Sequence, residues 1–155
     1  MEKKRVKQAF RNDYHKGIVN LIYTYGVVSN WLQQHFSDFD LTTQQFNILR
    51  ILRGAYPKAC TNSHIKERML DKNSDVTRII NRLITRNLVA RCSSEEDKRK
   101  VEITILDKGL RLLEQIDKVS YREDDILGNL SEDEIKELNI LLEKIRKDKA
   151  YISDG

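Results

Sequence analysis

NSDVTRIINRLITR, residues 73–86, distributes its apolar and polar side chains at the period of an α-helix. Val76, Ile79, Ile80 and Leu83 recur at i, i+3, i+4 and i+7 and form one stripe. At about 100° per residue, Ser74, Arg78, Asn81, Arg82 and Thr85 gather on the opposite side, with Thr77 on its flank. A solvated helix face ordinarily mixes Glu with Lys, whereas this one carries Arg and Asn beside small hydroxyls. Its only acid, Asp75, falls in the first turn, where the helix dipole favours negative charge.

Downstream, Leu88 to Cys92 and Val101 to Ile105 read as two strands, with Val101, Ile103 and Ile105 pointing one way and Glu102 and Thr104 the other. Between them lies SSEEDKRK, residues 93–100, a tip of three acids followed by three bases. Upstream, Thr61 caps a short helix, NSHIKERM, with Ile65 and Met69 inward. Before it, Thr42 and Gln45 form a capping box, Leu41 and Phe46 the matching staple, and Phe46, Ile48, Leu49 and Leu52 a buried side that Gly54 ends.

The ends of the chain read as helices too. A stripe from Phe10 through Tyr14, Ile18, Ile22, Tyr25 and Leu32 to Phe36 predicts a long first helix from about Val6 to Phe36. Asp107 opens a helix to about Leu127, and a second capping box, Ser131 with Glu134, opens the last, to about Lys147. The fold class is therefore mainly α with a small β-hairpin (α+β), a winged helix-turn-helix with flanking helices. As one structural unit it divides into an N-terminal dimerisation helix (1–36), a winged lobe (37–106) and C-terminal dimerisation helices (107–155). The terminal helices offer more apolar surface than a wing-sized lobe can cover, which points to a second copy.

A chain of 155 residues with 39% hydrophobic and 34% charged residues can bury a core, as a soluble protein does. The net charge of +4 is unevenly placed: +4 over residues 1–16 and +4 over 56–108, against −4 over 109–148. A basic middle suits a polyanion. Residues 17–37 hold no Asp, Glu, Lys or Arg, yet their Asn, Gln, His and hydroxyl side chains suit a buried or subunit-facing helix better than a bilayer. With no signal-peptide pattern at the charged N-terminus, the chain reads as cytoplasmic, without a membrane partner. Cys60 and Cys92 have no CxxC spacing, and His15, His35 and His64 are scattered, so no metal site or cofactor is expected. The thiols read as packing residues, with redox sensing as the minor alternative. No catalytic carboxylate pair, Ser/His/Asp set or Gly-rich phosphate loop is visible, so no enzyme is expected.

The helix and the hairpin tip share a chemistry. A major groove admits one α-helix, and there Arg matches the two acceptors of guanine while Asn matches the mixed edge of adenine. Ser74, Thr77, Arg78, Asn81 and Arg82 thus form a candidate recognition face for double-stranded DNA. At the tip, Arg99 can enter a minor groove, with Lys98 and Lys100 on the flanking phosphates. Asp97 is expected to orient the tip by pairing with Arg99 or with another arginine, Arg86 being one candidate. A basic tip alone is more often a plain solvated loop, and an Arg/Asn face alone is an even bet. Adjacent and in this order, they favour DNA. The rival reading is a winged helix docking an acidic protein, which predicts only weak, sequence-independent DNA binding.

LTTQQFNILRIL (41–52), KNSDVTRIINRLITRNLVAR (72–91) and EDKRKVEITILDKG (96–109) together resemble the MarR family of bacterial transcription regulators. Where the family's wing is followed by Leu-Thr-x-x-Gly, this chain has Leu106 in place of Thr, with Asp107 as the expected cap one residue later. Where many members carry Gly before the wing, it has Asn87, which also tolerates a left-handed turn. The resemblance implies a homodimer on a palindromic operator, usually a repressor and often released by a small ligand or by oxidation. It places recognition contacts on Ser74, Thr77, Arg78 and Arg82 and a wing contact on Arg99. It also places an effector pocket between the dimerisation helices and the DNA-binding lobe, where Tyr14, Tyr25, Trp31, Phe46 or Arg50 could line it. Those aromatics are more often plain core or interface.

Overall fold

The computed structural model describes residues 10–94, 96–120 and 124–147. Helix α1 (Asp13–Ser37) leads to α2 (Thr43–Ala55), strand β1 (Cys60–Thr61), α3 (Asn62–Arg68) and α4 (Val76–Thr85). The hairpin strands β2 (Val89–Ser93) and β3 (Val101–Ile105) follow, then α5 (Asp107–Asp117), a 3₁₀ turn (Asp125–Leu127) and a last helix, α6 (Glu132–Lys147).

The local signals act where the sequence places them. The Thr42 hydroxyl accepts from Gln45 N–H at 3.1 Å while the Gln45 amide oxygen accepts from Thr42 N–H at 2.9 Å. Thr61 caps α3, and Ser131 with Glu134 caps α6 reciprocally. Asn87 takes the left-handed conformation, φ 57°, and turns the chain from α4 into β2.

One cluster holds the lobe together. Ile48, Leu49 and Leu52 of α2, Ile65 of α3, Ile80 and Leu83 of α4, Ile103 of β3 and Leu113 and Ile116 of α5 are all buried in it. Strand β3 is central: it pairs antiparallel with β2 (Val89 opposite Ile105, Arg91 opposite Ile103) and with β1 (Cys60 opposite Ile103). The sheet therefore has three strands, not the two of a hairpin. The third is two residues long, too short to show a period in sequence.

Several expected boundaries move. The expected start of α1 at Val6 lies outside the described residues; Phe10 to Asn12 precede the helix, and the Asn12 side chain caps it by accepting from His15 N–H at 2.9 Å. Gly54 does not end α2, since it keeps a negative φ and the helix runs on to Ala55. The break falls at Tyr56 (φ −51°, ψ 136°), the extended conformation that the following Pro57 favours. Asp75 is the cap of α4 itself, accepting from Arg78 N–H at 3.1 Å. Ser74 therefore sits in the preceding turn and not on the helix.

At the other end of the lobe, Asp107 is the first residue of α5 and not its cap; Leu106 holds that position and supplies no side-chain bond. Helix α5 stops at Asp117, ten residues short of the expected end at Leu127, with residues 118–120 in a turn. There the Ser120 hydroxyl donates to the Asp117 carbonyl at 2.9 Å, and the Asp117 carboxylate is tied to Arg53 of α2 at 2.5 Å. The apolar spacing lapses as well, because the positions three and four after Val119 are Arg122 and Glu123. Val101 shares the strand face of Ile103 and Ile105 but is exposed, since β3 there has left the core for the wing.

Candidate nucleic-acid interface

Val76, Ile80 and Leu83 anchor α4 in the core, and that fixes what the helix shows outward: Thr77, Arg78, Asn81 and Arg82 are all exposed. The side chains of Arg78 and Arg82, one turn apart, make no hydrogen bond or ion pair among the described residues. Two unpaired guanidinium groups on one helix face are bidentate donors without an internal acceptor. The flanks are tethered. Thr77 Oγ1 accepts from Asn62 Nδ2 of α3 at 3.5 Å, and Asn81 Oδ1 accepts from Arg91 Nη2 of β2. Ser74 Oγ is buried and meets no hydrogen-bond partner among the described residues. It stands apart from the exposed face.

Ser94 N–H donates to the Lys100 carbonyl at 2.9 Å and closes the base of the wing. Lys98, Arg99 and Lys100 are exposed on it. Asp97 orders the tip, though not by an ion pair. Its carboxylate accepts from Arg99 N–H at 3.0 Å, and its carbonyl accepts from Lys100 N–H at 2.8 Å. The acid acts on the backbone, leaving the Arg99 guanidinium outward.

Arg86 takes no part in the wing. It sits at the C-terminal cap of α4, donates to the Asp40 carbonyl and lies 3.4 Å from the Asp40 carboxylate. The five residues of β2 extend roughly 16 Å and carry the chain away from Arg86 before the tip begins. Asp40, in the α1–α2 turn with φ 54°, is simply nearer in space.

The five residues expected near an effector do not converge. Tyr14 and Tyr25 stand 86% and 71% exposed along α1. Trp31 stacks on His35, with centroids 5.3 Å apart, and His35 meets Phe36, which stacks on Phe46 at 4.0 Å. Arg50 lies over Phe46 at 5.8 Å from the ring centroid. Phe46 is core. A cavity of about 330 Å³ does lie between α1, α2 and the turn before α4, lined by Tyr25, Val28, Leu32, Asn47, Met69 and Leu70 among others. Tyr25 alone of the five reaches it.

Cys60 is buried, and burial pushes its thiol up, with Arg68 opposing and Glu102 adding to the shift. A thiol held protonated is a poor nucleophile. Cys92 stands opposite Glu102 where Cys60 stands opposite Ile103, so the two thiols point to opposite sheet faces. Among the described residues no cluster of three His, Cys, Asp or Glu could hold a metal ion, and no helix is long and apolar enough to cross a membrane.

What sequence reading missed is Arg91. Its place in NLVARC was visible, and strand alternation puts it with Val89 on the face of Ile103, but no local pattern shows that the face meets Asn81.

Comparison with known proteins agrees with the winged-helix fold. The model of the MarR family matches residues 41–101. The HTH-type transcriptional regulator PecS of Dickeya dadantii is 32% identical over 124 residues, 78% of this chain and 74% of PecS. A MarR transcription factor from Planctomyces limnophilus superposes with a TM-score of 0.65 at 32% identity, covering 92% of this chain and 98% of that one. A mutant of MarR from Escherichia coli, solved in complex with operator DNA, superposes with a TM-score of 0.74 at 26% identity, covering 83% and 93%.

Proposed function

The chain belongs to the MarR family of DNA-binding transcription regulators, and from that premise we propose that it acts as a homodimeric, ligand-responsive repressor on a palindromic operator. The observation that carries the DNA-reading role is the pair Arg78 and Arg82, exposed on α4 and without partners among the described residues, together with three exposed cations on the wing. In this reading α4 enters the major groove, where Arg78 and Arg82 meet guanine edges or phosphates. Thr77 and Asn81 lie at the edges of the same face. Arg99 enters the adjacent minor groove, and Lys98 and Lys100 neutralise phosphates. Ser74, one turn earlier, contributes at most to the turn that presents Thr77.

Dimerisation is supported by α1. Ile18, Ile22 and Tyr25 on one side and Tyr23 and Val27 on the other are all exposed, and a helix apolar on both sides belongs inside a larger core. Residues 1–36 and 107–155 would then form the dimer module, and residues 37–106 the reading lobe. Two-fold symmetry would set the two recognition helices about 34 Å apart, one helical turn of DNA. The cavity beside Tyr25 joins the dimer helix to the turn before α4, so a small apolar ligand bound there would shift the recognition helix.

The test is binding of the purified protein to the DNA upstream of its own gene, with random DNA as competitor and salt titrated. Competitor-resistant binding is expected, with log affinity falling by about 0.9 per decade of salt for each phosphate neutralised. Arg78→Ala or Arg82→Ala should lose about 1–3 kcal/mol on the cognate site and less on random DNA. A flat salt response with no competitor-resistant site would overturn the reading in favour of an acidic protein partner.

A further inference from the structure

Arg91 stands on β2, exposed, and its guanidinium reaches across to the recognition helix, where Nη2 donates to the Asn81 side-chain oxygen. A guanidinium has donors only. The amide atom of Asn81 that faces β2 is therefore its oxygen, and the nitrogen is turned away, whichever way an isolated asparagine would settle. Among the described residues no acid competes for Arg91. The helix also holds this position still: the Thr85 hydroxyl, one turn on, donates to the Asn81 carbonyl at 3.0 Å.

The orientation matters because asparagine reads adenine with both atoms at once, nitrogen to N7 and oxygen to N6. With one lone pair of that oxygen taken by Arg91 and the oxygen held on the β2 side, that paired contact is weakened. What remains outward is an NH₂ group, which suits an edge of acceptors only, and guanine offers two, O6 and N7.

We propose that Arg91 is a positioning residue for base recognition: it fixes Asn81 as a hydrogen-bond donor, so that the base opposite it is read as guanine in preference to adenine. The inference rests on the DNA-reading function proposed above and adds a specificity to it. It also ties the wing strand to the recognition helix, so that β2 and α4 present their contacts as one unit.

The experiment selects bound sequences from a randomised duplex pool, then measures affinity for each of the four bases at the pair whose preference disappears in Asn81→Ala. The wild type should favour guanine there. Arg91→Ala releases the amide and should move the guanine-to-adenine ratio towards adenine by about fivefold to tenfold, the lower part of what one bidentate contact discriminates. Arg91→Glu offers an acceptor instead of a donor, so the amide should turn over and present oxygen, favouring bases with an exocyclic amine. Arg91→Lys keeps a donor and should keep the wild-type preference. Thermal midpoints of the three variants report whether the fold is intact, and the base ratio does not depend on how much protein is folded.

If affinity falls equally for all four bases in Arg91→Ala and Arg91→Glu, Arg91 is a phosphate contact or a strut and the proposal fails. The same holds if Asn81→Ala changes no preference at any position. A wild type that selects no sequence at all overturns the DNA-reading function first, and this inference with it.

Discussion

In the winged lobe, with α5 packed on it, the apolar stripes of α2, α4 and α5 find partners within the chain, and Leu49, Leu83 and Leu113 are fully buried in a single cluster. Along α1, Tyr14, Ile18, Ile22 and Tyr25 follow the same spacing of threes and fours and are each more than half exposed. Helix α6 is in the same state, with Ile140, Leu141 and Ile145 uncovered and no buried residue at all. Periodicity says that a helix face needs covering; it does not say by what. The lobe covers its own faces, and the terminal helices leave theirs exposed, which is the surface the proposed dimer would cover.

The contrast can be broken most directly in the lobe. Leu49→Ala removes a fully buried side chain from the centre of the cluster and should cost about 2–5 kcal/mol, read as a shift of the urea midpoint. A cost as small as that of a surface substitution would show that the lobe leans on the dimer for its stability.

Next in size is Ile22→Asp on α1. It should destabilise the proposed dimer by about 1.5–3 kcal/mol per protomer from lost apolar burial, and more from the charge. Sedimentation across a concentration series should show monomers while the lobe's helical signal persists. A variant that stays dimeric would remove the exposed stripe of α1 from the interface, and the contrast with the lobe would need another cause.

Two glycines sharpen the comparison between a packed site and an open one. A Cβ on Gly109 would lie 2.5 Å from the Leu88 carbonyl oxygen and 2.8 Å from Ile105 Cγ1, where α5 presses on the hairpin. Gly109→Ala should therefore destabilise by about 1–3 kcal/mol. A Cβ on Gly54 meets nothing within 4 Å on an exposed turn of α2. Gly54→Ala should stabilise by about 0.5–1 kcal/mol, since alanine loses less backbone freedom in a helix. Thermal midpoints moving in opposite directions would confirm that α5 is in hard contact with Leu88 and Ile105 and the end of α2 is not.

Much of this is legible in the sequence alone. The capping boxes at Thr42 and Ser131, the Thr61 cap, the left-handed Asn87 and the inward stripe of α4 all depend on residues within one or two turns of each other. What a helix end wants is settled by its own side chains. The outward set Thr77, Arg78, Asn81 and Arg82 was legible for the same reason, because burying Val76, Ile80 and Leu83 leaves no other face to solvent.

The remainder depended on contacts between residues distant in sequence. Arg86 could have met Asp97 or Asp40, and only the path of β2 decided for Asp40. Strand β1 exists because β3 has a free edge beside Cys60 and Thr61, not because two residues specify a strand. Helix α5 ends at Asp117, whose carboxylate is tied to Arg53 of α2. Asn81 was visible as a polar residue on a recognition face, but the direction its amide points is set by Arg91, ten residues on and in another element. The sequence by itself determined which faces are apolar, which helix ends are capped and which cations lie outward, because those follow from neighbours along the chain. Tertiary structure decided which donor meets which acceptor, because that depends on how separate elements pack.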